Sequence, residues 1–294
     1  MKQIELDGER YALPETWEDI DAGMLPGLIE QVYLVPESGR MYHEVIRLCL
    51  GISEKRWLKI QKKHFSPKLS ESTRRKNAEV LQQLVSLLSW LWNEPMDRQP
   101  FEGISINGPL WLLPEPDFAA VSYGELTDLF ILLHTYIASP DAGEDTLDSL
   151  VATACRPRRT PANYAGQPDW NGDHREPYNE FIVRGRVKGV ANVPFETKLA
   201  VLLYVASTVK NVLNKYQVFE SDPSMTTATA GASGQTEAYT GQGFIKNQHL
   251  LAEKGIFGNL KQTQQANAHE VLLFLEEHRA DLMARQQAQT DTDQ

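Results

Sequence analysis

One phrase occurs twice in this chain, one hundred residues apart: Ile4-Glu5-Leu6-Asp7-Gly8-Glu9-Arg10-Tyr11-Ala12-Leu13-Pro14-Glu15 and Ile104-Ser105-Ile106-Asn107-Gly108-Pro109-Leu110-Trp111-Leu112-Leu113-Pro114-Glu115. Each copy sets Asp-Gly or Asn-Gly between short apolar runs. That is the chemistry of a tight hairpin turn, because Gly takes positive φ without steric cost and Asp and Asn take it more readily than other residues. A single two-stranded hairpin is marginal in water, so the two copies are expected to pair into one small sheet covered by helices. The expected fold is mainly α with a minor antiparallel β-sheet formed by the two short hairpins, in a repeat-like two-part architecture.

Helical periodicity fills the rest. Thr16 and Asp19 are spaced as a capping box, followed by a helix that Gly23, Pro26 and Gly27 break or shorten. A helix is expected over Met41 to Leu50, stopped by Gly51, and another capped by Ser53 and running through Trp57, Leu58 and Ile60. Over 71–92, Val80, Leu81, Leu84, Val85, Leu88, Leu91 and Trp92 recur at spacings of three and four, which predicts a core-facing helix. In the second half Ser122 and Glu125 form a clearer capping box ahead of Leu126, Phe130, Leu133 and Ile137. A short helix follows near Thr146 to Ala154, and Phe195 to Tyr216 carries one continuous apolar stripe. Between Arg156 and Gly172, Arg, Pro, Asn and Gly predict an irregular loop pinned by Tyr164 and Trp170.

The expected organisation is a first half at 1–98, a second at 99–219, a linker at 220–243, a C-terminal helical pair at 244–284 and a disordered tail at 285–294. The linker rests on composition: Ser, Thr, Ala, Gly and Gln with few large aliphatic side chains do not repay the entropy of ordering.

Hydrophobic residues make up 41% of 294, enough for a real core in each half. A net charge of -10 opposes coating of nucleic acid or an anionic membrane. No apolar run is long enough to span a bilayer, and Met1-Lys2-Gln3-Ile4-Glu5 puts charge where a secretion signal needs an apolar stretch. Cys49 and Cys155 lie far apart in apolar stretches and read as small buried hydrophobes of a reducing compartment. The expected location is the cytoplasm.

Reactive-site signals are weak. His43-Glu44 begins an HExxH pattern, but Arg47 stands where the second His is needed. Asp173-His174, near Glu176, offers a carboxylate and an imidazole in one loop, although polar loops use both routinely. Glu18, Asp19 and Asp21 cluster where a helix start favours negative charge. No phosphate-cradling glycine motif is present. Hence no catalytic residue, cofactor site or metal site is expected, and the chain reads as non-enzymatic.

Binding signals are stronger. Between Ser53 and Lys76, nine cations (Lys55, Arg56, Lys59, Lys62, Lys63, Lys68, Arg74, Arg75, Lys76) face only Glu54 and Glu71, a net of +7 in an acidic chain. Such a cluster is a solvated face, a dock for an acidic partner or a phosphate-backbone site; the overall charge favours the first two. Trp90 and Trp92, two residues apart, cannot share one face of a helix, so one is a candidate for contact with another domain or a partner, or else is covered by a loop. The candidate partner-binding residues are Trp57, Trp90, Trp92, Lys62, Lys63, Arg74 and Arg75.

The opening Leu13-Pro14-Glu15-Thr16-Trp17-Glu18-Asp19-Ile20 resembles that of proteins encoded among tailed-bacteriophage tail genes. Val121 to Asp128 with Thr146 to Pro157 looks like the helix pair of that group, and Gly255 to Leu260 with Glu270 to Leu275 is similar to its last segment. The resemblance implies a helical, non-enzymatic tail protein: an assembly chaperone for a tail-tube or tape-measure component, or a small baseplate or virion protein. The long Thr, Ala and Gly linker and the duplication depart from that pattern. The alternative expectation is a nucleic-acid-binding accessory protein using the 55–76 patch.

Overall fold

The computed structural model describes residues 1–139, 144–159, 164, 170–216 and 239–292. The fold is mainly helical with minor β structure. The chain divides into two compact units, one of residues 1–100 with 194–200, the other of 101–193 with 201–294.

In the first unit, β1 (Lys2–Leu6) and β2 (Glu9–Leu13) form the antiparallel hairpin, with Leu6 opposite Glu9. Asp7 and Gly8 both have positive φ, 54° and 80°, as the dipeptide predicts. A single 3₁₀ turn, Trp17–Asp19, replaces the expected capped helix. Thr16 makes no side-chain cap, and Asp19 instead accepts from the Glu15 backbone N–H at 2.9 Å. Helix α1 (Leu25–Ile29), with Pro26 in its first turn, passes into a π-helical turn over Glu30–Leu34. Then come α2 (Gly39–Cys49), capped by Ser38, and α3 (Glu54–His64), for which Ser53 gives no side-chain cap. Gly51, at φ 61°, ends the first of these as expected.

The periodic stretch at 71–92 is two helices, α4 (Glu71–Leu87) and α5 (Trp90–Asn93). Its inner face is narrower than the apolar spacing predicts. Leu84, Leu88 and Leu91 are buried with Leu13, Leu28, Val45, Ile46, Trp57 and Ile60, whereas Val80 and Leu87 are exposed. One helix face can meet only as much core as its neighbours supply.

In the second unit, β3 (Gly103–Ser105) and β4 (Leu110–Leu112) repeat the hairpin around Asn107 and Gly108, again both at positive φ. The two hairpins do not share a sheet, which corrects the expectation. The second acquires a third strand, β5 (Arg156–Pro157), pairing Trp111 with Pro157 and Leu112 with Arg156. Pro157 has no N–H to donate, consistent with its place on the sheet edge. Gly103 is required there: a Cβ would run into the Trp111 carbonyl.

Helix α6 (Tyr123–Ala138) is the centre of this unit and is almost fully buried over its first two turns. Helix α7 (Glu144–Ala154) packs on it and α8 (Glu180–Val190) packs on α7, followed in the chain by α9 (Phe195–Lys215), whose first turns cluster with the first unit. The chain resumes its described course within the segment assigned to a linker, most of which lies outside the described residues. There α10 (Gln242–Glu253) already begins at 242. Three helices follow the linker rather than a pair: α10, α11 (Leu260–Gln265) and α12 (Ala268–Thr292), and the last continues through residues expected to be disordered. They belong to the second unit. The edge of α6 explains why, since Tyr123 N–H bonds Ala266 O at 2.9 Å, Ala268 N–H bonds Val121 O at 2.9 Å, and Gln248 donates to Thr127 at 2.8 Å.

Candidate partner-binding surfaces

The tryptophans separate cleanly. Trp57 and Trp90 are 5% and 7% exposed and belong to the core of the first unit, so neither is available to a partner. Trp90 stands edge-on to Trp17 at 5.3 Å, and Trp17 donates to Glu94 O at 3.0 Å. Trp92, two residues on, is 37% exposed. It is not alone: Tyr42 of α2 meets it edge-on at 6.0 Å, and Tyr33 of the π turn reaches the Leu91 carbonyl at 3.4 Å. Tyr33 and its neighbour Leu34 are 42% and 41% exposed. One ring pair, Tyr42 with Trp92, thus lies at the surface, and the Tyr33 hydroxyl reaches the backbone of the residue just before Trp92. The π turn shifts the side chains that follow it relative to an α-helix, a device frequent at functional sites.

The basic run is divided by use. Arg56 pairs with Glu9 at 2.7 Å and donates to Tyr11, while Lys63 and His64 both reach Asp7 at the hairpin turn. These hydrogen bonds from Lys63 and His64 hold the Asp7 carboxyl down at about 2. Arg75 pairs with Glu79 one turn on. Among the described residues no ion pair engages Lys55, Lys59, Lys62, Lys68, Arg74 or Lys76. Of the four basic candidates, Lys62 and Arg74 therefore remain free, and Lys63 already serves the hairpin.

The Asp173-His174 loop is not a reactive pair. The segment is extended, so neighbouring side chains point to opposite faces. Asp173 and Arg175 turn inward; His174 turns outward, where its Nδ1 meets the Tyr164 hydroxyl at 2.9 Å beside Trp170. Asp173 instead joins a buried quartet. Arg156 donates to Glu125 at 2.7 Å and to Asp173 at 2.8 Å, and Arg175 reaches Glu125 and Asp173 at 2.9 Å each. Arg175 also donates to Ala154 O and Arg156 to Glu176 O. Burial raises the Glu125 carboxyl against the pull of Arg156 and Arg175. The same burial acts on Asp173, yet Arg175 and Arg156 hold that group below its ordinary value.

Glu125 was expected to close a capping box. Half of the box exists: Ser122 accepts from the Glu125 N–H at 3.3 Å, but the Glu125 carboxylate faces the two guanidinium groups. Two cations meeting two anions cancel, and the ladder of Arg159 N–H to His174 O and Glu176 N–H to Pro157 O closes the loop over them. The arrangement ties α6 to both ends of an irregular loop. No sequence motif marked it, although inward Asp173 and Arg175 around an outward His174 is an alternation readable after the fact.

The other titratable candidates are likewise structural. His43 packs edge-on to Trp57 and Phe65, and burial lowers its pKa; Arg47, where HExxH would need a second His, binds Glu44. Burial pushes both thiols up to about 12, with Cys155 buried and Cys49 half-buried. Comparison with protein-family models, curated proteins and solved structures finds no match. What the chain does must therefore be argued from its surfaces.

Proposed function

We propose that the protein is a non-enzymatic tail-assembly protein of a tailed bacteriophage, a chaperone that binds a tail-tube or tape-measure component in the host cytoplasm. The observation that carries the binding role is the surface of Tyr33, Tyr42 and Trp92. Large rigid side chains gain apolar contact at small entropic cost and dominate interface energetics. The phage assignment is supported by the resemblance of the opening phrase, the α6–α7 segment and the C-terminal helices to tail-gene proteins. Nucleic-acid binding finds less support, since Lys63 and Arg75 are paired and Trp57 is buried away from any base.

Co-expression with tail-tube and tape-measure proteins tests the reading. Capture of one of them is expected, with Trp92→Ala weakening it by about 2 kcal/mol, the scale of an interface hot spot. Equal capture by wild type and Trp92→Ala, both folded by circular dichroism, would remove the aromatic surface from the function; capture of neither component would remove the tail assignment.

A further inference from the structure

Helix α3 has two faces of opposite character. Trp57 and Ile60 are buried, with Arg56, Gln61 and His64 half-buried beside them. On the opposite side Lys55, Leu58, Lys59 and Lys62 fall at steps of three and four residues, one stripe of a 3.6-residue helix. Leu58 is 46% exposed among these lysines. At the C-terminal end of α3, Asn77 of α4 donates to the His64 carbonyl at 2.6 Å.

We propose that this stripe is a docking surface for an acidic amphipathic helix of a protein partner. The cations that hold the hairpin, Arg56, Lys63 and His64, lie off the stripe, and those on it make no ion pair among the described residues. Lys55, Lys59 and Lys62 extend over seven residue steps, about 10 Å of helix, matching carboxylates at the same spacing on a second helix laid alongside. Leu58 at the middle of the stripe gives apolar contact that a phosphate backbone does not use. Stacking on bases would need exposed aromatic rings in the run, yet Trp57 is buried and Phe65 packs edge-on to His43 at 5.1 Å. The net charge of -10 further disfavours a long polyanion, while a short acidic helix meets the local field alone. This surface shares no residue with the aromatic one and does not depend on a tail component being the partner.

The test uses the full chain and fluorescence anisotropy with three probes: a helical peptide carrying Glu in the i, i+4, i+7 pattern with Leu at i+3, the same peptide with Gln for Glu, and a short DNA duplex. The Glu peptide is expected to bind, more weakly as salt rises. The triple variant Lys55→Glu, Lys59→Glu, Lys62→Glu should lose about tenfold in affinity, and Leu58→Ser should weaken the peptide without altering its salt dependence. Thermal melts of each variant confirm folding. Equal binding of the Glu and Gln peptides, an unchanged triple variant, or binding of the duplex with none of the peptide would each overturn the proposal.

Discussion

Arginine and carboxylate meet in both units of the molecule, but in opposite settings. In the first, Arg56 with Glu9 and Lys63 with Asp7 bind the hairpin to α3 in water-exposed pairs. In the second, Arg156, Arg175, Glu125 and Asp173 are sealed in the interior with every charge facing an opposite one. Exposed pairs gain little over hydration, whereas a buried pair is held by the high cost of leaving either partner alone. The first set can be rearranged cheaply, and that freedom lets the same helix spend some cations on the fold and present others to solvent. The second set is fixed as a unit.

The sharpest way to break this comparison is Arg175→Ala, which leaves Glu125 and Asp173 buried with one cation between them. A loss of about 3–5 kcal/mol is expected from urea unfolding, and a loss below 1 kcal/mol would show that water reaches the quartet. An intermediate case is Tyr178→Phe. The Tyr178 hydroxyl donates to Asp128, whose carboxyl burial raises, and the ring lies 5.8 Å from the Arg156 guanidinium. Losing the hydroxyl but keeping the ring should cost about 1–2 kcal/mol by the same measurement.

The smallest effects belong to the first unit and depend on pH. Because Asp7 has its folded pKa lowered to about 2, its contribution is present above its ordinary pKa of 3.8 and is lost as pH falls from there through 2. In an acid titration followed by NMR, Asp7→Asn is expected to remove that low-pH step from the hairpin resonances while leaving the neutral-pH fold unchanged. Raising the salt should move the hairpin resonances and leave those of α6 in place, since screening acts on exposed charges far more than on buried ones. Equal sensitivity of both regions would dissolve the distinction.

Much of the local structure was legible. Asp7-Gly8 and Asn107-Gly108 are turns because few other dipeptides accept two positive φ values, and Gly51 ends a helix for the same steric reason. The apolar stripes marked α6 and α9 correctly, and the two-residue offset of Trp90 and Trp92 foretold that only one would face inward. Other features had no local signature. Phe118 holds φ 56° while fully buried edge-on to Tyr204 at 6.3 Å, a conformation that surrounding packing imposes on a residue that does not favour it. The burial of Trp57 and the exposure of Val80 depended on which neighbours arrived. The candidate surface was visible in part: Trp92, Lys62 and Arg74 stood in the sequence, while Tyr33 and Tyr42 joined only through the π turn and α2.

By itself the sequence determined what is set within a few residues: two turn-bearing hairpins, the periodic helices, the acid excess and the basic run. Tertiary structure decided which sheet each hairpin joined and which lysines kept a free charge. It also turned Glu125 from an expected cap into part of a buried quartet with residues up to fifty positions away. The physical reason is range. Turn and helix preferences act through sterics between near neighbours, but pairing of strand edges and neutralisation of buried charge depend on groups that only the completed fold brings together.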